Sequence, residues 1–114
     1  MIKEFCKKDD FVKYKIIGNY ALICINEEII DGGVYFDKIR LSISSKDYLI
    51  SSLIKANYPA DRMDAIRNNY ELVKDGTAGD KAEEYTQEYL AMQDWRVYSK
   101  ELATEIMNAK ENVT

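Results

Sequence analysis

Residues 80–109 contain neither proline nor glycine, and apolar side chains recur there every three or four positions. That spacing predicts one continuous amphipathic helix, roughly 45 Å long at about 1.5 Å per residue. Size scaling gives a single domain of this length a diameter of roughly 35 Å. Such a helix has to bend, overhang the body that carries it, or meet another chain. Its apolar stripe is read as Ala82, Tyr85, Tyr89, Met92, Trp95 or Arg96, Ser99, Leu102, Ile106 and Ala109. Asp80 reads as its N-cap and Glu83 completes a capping box. The acidic residues at its start complement the helix dipole. The last residues, 111–114, are expected to fray.

Ahead of this helix the pattern changes near Ser44. Residues 11–17 place Val12, Tyr14 and Ile16 on one face and Lys13 and Lys15 on the other, the two-residue period of a half-buried strand. Gly18-Asn19 is a turn signal, and 20–25 resumes as an apolar, β-rich run. Residues 26–33 are ambiguous: Glu27-Glu28-Ile29-Ile30 reads as a short edge strand and Asp31-Gly32-Gly33 as a turn. Residues 34–43 form a further strand, with Tyr35, Ile39, Leu41 and Ile43 on one face and Lys38, Arg40 and Ser42 towards water. Two shorter helices follow. The first is capped by Ser44 with Asp47 and runs to about Asn57, with Leu49, Leu53 and Ala56 on its stripe. The second has Pro59, the only proline, at its first position, and Met63, Ile66 and Tyr70 on its stripe. Residues 74–79 are a loop. The expectation is an α+β fold in one domain, 1–114: an N-terminal antiparallel meander of three to four strands over 1–44, polar on one side, two short helices and a loop over 45–79, and a long helix over 80–110.

Apolar residues make up 46% of the chain and charged residues 32%, which suits a packed core rather than a disordered segment. No apolar run approaches the roughly 20 residues of a membrane span. The start, Met1-Ile2-Lys3-Glu4-Phe5-Cys6-Lys7-Lys8, has mixed charge and no apolar stretch, so it does not read as a signal peptide, and a cytoplasmic location is expected. Cys6 and Cys24 are too few for a disulfide framework and lack metal spacing. Cys24, inside an apolar run, reads as a small buried hydrophobe.

The net charge of −4 is unevenly spread. Residues 1–79 carry twelve basic and twelve acidic side chains, whereas Asp80, Glu83, Glu84, Glu88 and Asp94 face only Lys81 across 80–94. Gripping a phosphate backbone needs clustered Lys or Arg. The one such group, Lys3, Lys7, Lys8, Lys13 and Lys15, is diluted by Glu4, Asp9 and Asp10, so nucleic acid is not an expected partner.

The chain has no histidine. Ser-His-Asp and Cys-His catalysis, histidine-ligated metals and the usual neutral-pH proton shuttle are therefore ruled out. Gly76-Thr77-Ala78-Gly79 leads into a helix, but Asp80 repels an anion there and no lysine follows in phosphate-loop spacing. Two acidic groups, Glu83-Glu84-Glu88 and Glu27-Glu28-Asp31, leave carboxylate chemistry or a hard cation open; a solvated charge run is the plainer reading of both. No catalytic residue, cofactor or metal is assigned.

Nine tyrosines are many for this length. Several fall on the last helix beside Trp95, Met92 and Arg96, and aromatics, methionine and arginine are enriched in protein contacts. The alternative is that they are ordinary core with hydroxyls reaching the surface. The candidate partner interface is Tyr85, Tyr89, Met92, Trp95, Arg96, Tyr98, Leu102 and Ile106. Arg96 interrupts the stripe and is expected to pair with Glu88 or Asp94, or to lie over an aromatic ring.

The helical half carries Leu53-Ile54-Lys55-Ala56, Tyr58, Asp61, Met63, Ala65-Ile66 and Asn68-Asn69-Tyr70, then Met92-Gln93-Asp94-Trp95-Arg96 with Lys100 and Ala103. In these residues it resembles small proteins carried in the tail-gene regions of bacterial phages and prophages. The resemblance implies an accessory or assembly role and supplies no catalytic residue. Together these readings favour a non-enzymatic interaction protein that forms a homodimer or docks a protein partner through its C-terminal helix. The alternative is a small-ligand module or carboxylate-dependent enzyme with a tyrosine-lined pocket between sheet and helices.

Overall fold

A computed structural model describes residues 3–112. The expectations for Met1 and Ile2, and for fraying at Val113 and Thr114, lie outside the described residues. The fold is α+β: a four-stranded antiparallel sheet is followed by three helices, the last one long. The strands are β1 (Lys3–Lys7), β2 (Tyr14–Ile17), β3 (Tyr20–Ile30) and β4 (Gly33–Ser42), and the helices are α1 (Lys46–Asn57), α2 (Ala60–Lys74) and α3 (Ala82–Asn112). The chain divides into two compact units, residues 3–49 with 105–112, and residues 50–104.

In the first unit the sheet order is β1-β4-β3-β2. β2, β3 and β4 form the expected meander. β1, which the alternation did not reveal, pairs with the far edge of β4, from Lys3 opposite Asp37 to Lys7 opposite Gly33. Because β1 and β2 occupy opposite edges, residues 8–13 must cross the sheet. They do so through a 3-10 turn, Lys8–Asp10, which corrects the strand expected to begin at residue 11. Lys8 N–H donates to Gly32 O at 3.1 Å and Lys13 O accepts from Cys24 N–H at 2.9 Å, anchoring both ends of the crossover.

The segment expected as a separate edge strand is the continuation of β3. Ile25 lies opposite Asp37 and Glu28 opposite Tyr35, so Asn26 and Glu27 together face one residue of β4. This is a β-bulge. Asn26 takes φ 57°, a left-handed conformation that asparagine tolerates better than most residues. Asn26 Nδ2 donates to Asp37 Oδ2 at 3.0 Å, and Lys3 Nζ donates to Asn26 O at 3.2 Å, so β1, β3 and β4 are tied at the bulge. Asp31 and Gly32 then turn the hairpin, both at positive φ, as a two-residue turn matched to strand twist requires.

Directly opposite residues share a face. Ala21, Ile23 and Ile25 alternate on one face and are buried. The opposite face is not wholly polar: Cys24, Val34 and Phe36 form a second buried cluster against which Cys6 and Phe11 pack. The crossover supplies Phe11, whose ring centroid lies 5.6 Å from that of Phe36. Ile43, Leu49 and Ile106 are also buried in this unit, and Lys110 Nζ donates to Ile43 O at 3.3 Å.

In the second unit, Leu53, Ile54, Ile66, Met92, Ser99, Leu102 and Ala103 are buried. The helix starts differ from expectation in each case. Ser45, not Ser44, caps α1: its Oγ accepts from Tyr48 N–H at 3.3 Å. Pro59 sits one residue before α2 rather than inside it, in an extended conformation. α3 begins with a 3-10 turn, Gly79–Lys81, entered from Ala78 with no side-chain cap, in place of the Asp80–Glu83 box. α3 itself is unbroken over 31 residues.

Candidate interaction surface

The candidate residues on α3 fall into two groups. Met92, Leu102 and Ile106 are buried, while Tyr85, Tyr89, Trp95, Arg96 and Tyr98 are half-buried. A helix side chain three or four positions from a buried one shares its face, so Met92, Leu102 and Ile106 mark the part of the stripe that lies inside the chain. Four of the half-buried members, Tyr89, Trp95, Arg96 and Tyr98, have partners there. Trp95 Nε1 donates to Leu53 O at 2.9 Å, and its ring centroid lies 5.3 Å from that of Tyr98. Tyr89 stacks on Tyr70 with centroids 4.0 Å apart and planes 7° from parallel. Arg96 takes neither expected partner: its Nη1 reaches Met63 Sδ at 3.7 Å. The large apolar side chains α3 leaves exposed are Leu90 and Val97.

A denser exposed apolar group lies at the turn end of the β3–β4 hairpin. Phe5 stands opposite Tyr35, and Ile30 opposite Gly33, on one face of the sheet. Phe5 is 57% exposed, Ile30 47% and Tyr35 39%. The Phe5 and Tyr35 rings approach to 4.9 Å at 48°. Gly33 is the reason Phe5 can lie flat there, because a Cβ at that position would collide with the Phe5 ring. Ile29, on the reverse face opposite Val34, is 65% exposed. The bulge decides which face each isoleucine takes. It shifts the alternation by one residue, so Glu28 and Ile30 continue the face that Ile25 began.

β2 pairs with β3 only from Tyr20 to Ile23. Beyond the Cys24–Lys13 hydrogen bond, the outer edge of β3 carries no strand among the described residues. Glu27, Glu28 and Asp31 stand exposed around it. Among the described residues no three Cys, Asp or Glu side chains come together to hold a metal ion.

A pocket of about 290 Å³, open to solvent, lies in the same unit beneath the crossover. Its walls include Phe5, Cys6, Phe11, Leu22, Cys24 and Phe36, together with the charged side chains of Glu4, Asp10, Lys15 and Lys38. It is lined by phenylalanine and thiols rather than by the tyrosines expected of a ligand site. Both cysteines are free. β4 lies between their strands, so their Cα atoms are about 9–10 Å apart or more, beyond disulfide reach. Burial pushes the Cys24 thiol up, against a smaller opposing effect of the Lys38 ammonium. No helix among the described residues is long and apolar enough to cross a membrane.

Comparison with protein-family models, with characterised proteins and with solved structures finds no match.

Proposed function

We propose that this chain is a non-enzymatic interaction protein that assembles with a second protein chain. Its contact surface is the turn end of the β3–β4 hairpin together with β1. The observation that carries this reading is the cluster of Phe5, Ile30 and Tyr35, exposed side by side on one sheet face. Contiguous exposed apolar surface mixed with aromatics is characteristic of docking sites. α3 contributes less, since Leu90 and Val97 are its only large apolar side chains exposed among the described residues. The resemblance of the helical half to phage and prophage tail-region proteins supports an assembly role. Free thiols suit a reducing cytoplasm, and the diluted basic residues suit a protein partner rather than nucleic acid.

The first partner to test is a second copy. Light scattering after gel filtration, from micromolar to millimolar protein, is expected to give a mass rising above 13.2 kDa. In the double variant Phe5→Asp/Tyr35→Asp the mass should return to the monomer value at every concentration. A wild-type chain that stays monomeric throughout, or a variant that associates equally, overturns self-assembly through this surface.

A further inference from the structure

The pocket beneath the crossover borders β1, which supplies Glu4, Phe5 and Cys6 to its wall, but it has its own chemistry, and nothing in the docking proposal depends on it. The chain travels from the β1 edge to the β2 edge here, and Asp10, Phe11 and Val12 of the crossover form one wall of the space. Phe11 packs from the crossover onto Phe36, and Leu22 and Cys24 supply the apolar floor from β3. At about 290 Å³ the space lies at the small end of ligand sites and suits a molecule of roughly a dozen non-hydrogen atoms.

The charges in the pocket walls narrow the class of ligand. Four charged side chains line the space: Glu4, Asp10, Lys15 and Lys38. Lys38 Nζ lies 3.5 Å from Glu4 Oε1, so these two neutralise each other. Asp10 and Lys15 make no ion pair among the described residues, although both border the same small space. One unpaired anion and one unpaired cation over an apolar floor are complementary to a ligand with the same three parts.

We propose that this pocket binds a small hydrophobic zwitterion, such as an aromatic or branched amino acid. Its ammonium group meets Asp10, its carboxylate meets Lys15, and its side chain rests on Phe11, Leu22, Cys24 and Phe36. A simple anion would satisfy Lys15 and be repelled by Asp10; a simple cation would do the reverse. Each charge-assisted contact is worth about tenfold in affinity at such a partly exposed site.

The test is a titration of the full-length, isotope-labelled protein followed by amide chemical shifts, with L-phenylalanine, phenylacetate and phenethylamine as separate probes. L-phenylalanine should move the amides of Leu22, Cys24 and Phe36 saturably, and bind about tenfold more tightly than either single-charge probe. Lys15→Gln should weaken L-phenylalanine and phenylacetate about tenfold and tighten phenethylamine, which no longer faces a like charge. Asp10→Asn should weaken L-phenylalanine and phenethylamine and tighten phenylacetate. Both side chains are exposed, so neither change threatens folding. Three outcomes overturn the proposal: no saturable shift at these amides, equal binding of all three probes, or single-site variants without the stated crossed selectivity.

Discussion

Ser99 is fully buried on α3, and its Oγ has no hydrogen-bond partner among the described residues. A buried hydroxyl without a partner loses its hydration with little in return. Ser99→Ala should therefore raise stability by about 1 kcal/mol, read as a higher urea midpoint at unchanged slope. A fall of similar size would mean that the hydroxyl is satisfied after all. Cys24 offers a pH test. Its folded thiol titrates above the usual range because burial disfavours the thiolate. The neutral form is thus favoured in the fold, and that contribution is complete below the unfolded thiol pKa of about 8.5. It is lost as pH rises through the higher folded value. Urea stability measured from pH 7 to 10 should fall more steeply for the wild type than for Cys24→Ala, and parallel curves would exclude the effect. Trp95 shows how a residue choice can serve packing. Its indole N–H meets Leu53 O across two helices, so an aromatic suited to a partner interface instead satisfies an internal carbonyl.

Among the elements, α2 ends most sharply. Gly76 N–H donates to Val73 O at 3.1 Å and Thr77 N–H to Leu72 O at 2.9 Å, while Gly76 takes φ 76°. These are the two hydrogen bonds of a Schellman motif, which needs a left-handed residue after the helix. No atom lies within 4 Å of where a Cβ at Gly76 would stand, so the cost of a side chain is purely conformational. Gly76→Ala should cost about 1 kcal/mol in urea unfolding, whereas a neutral result would mean the motif does not hold the helix end. The strands show why element boundaries were harder to read. β3 is one strand of 11 residues, but its bulge reverses the alternation at Asn26, so a fixed two-residue period fits only the part before it. β1 escapes a two-residue period for a related reason. All but one of its residues are exposed, and an edge strand with Lys3, Glu4 and Lys7 lacks the apolar alternation that marks a half-buried one. The same charges discourage edge-to-edge pairing. In an antiparallel self-pairing centred on Phe5, Lys3 would stand opposite the Lys7 of the other copy, and like charges directly opposite are unfavourable.

At the scale of the whole molecule, the exposed cluster of Phe5, Ile30 and Tyr35 belongs to the sheet. α3 is about 46 Å long by its rise, and its residues are divided between the two units, 82–104 and 105–112. Buried side chains recur from Met92 to Ile106. The exposed large side chains of the first unit's sheet and crossover, Phe5, Val12, Ile29, Ile30 and Tyr35, outnumber Leu90 and Val97 on α3. If the association proposed above is driven by this apolar surface, its mass profile should be unchanged on raising salt from about 0.1 M to 1 M, where screening shortens from about 10 to 3 Å. Dissociation by salt would instead assign the contact to the acidic side chains around the hairpin turn or at the start of α3.

The amino-acid sequence by itself determined the periodic parts of this protein. The α+β class, the stripes of α1 and α2, the β2–β3–β4 meander and the unbroken last helix follow from local spacing, which the backbone's two- and 3.6-residue repeats translate directly into faces. Tertiary structure alone decided which faces are covered. Whether Met92, Leu102 and Ile106 meet their own chain or another, that a crossover joins the two sheet edges beside an open pocket, and that β3 continues past a bulge opposite β4 all depend on contacts between residues apart in sequence. Periodicity within one segment carries no information about its partner, because burial is a property of two surfaces and the sequence pattern describes only one.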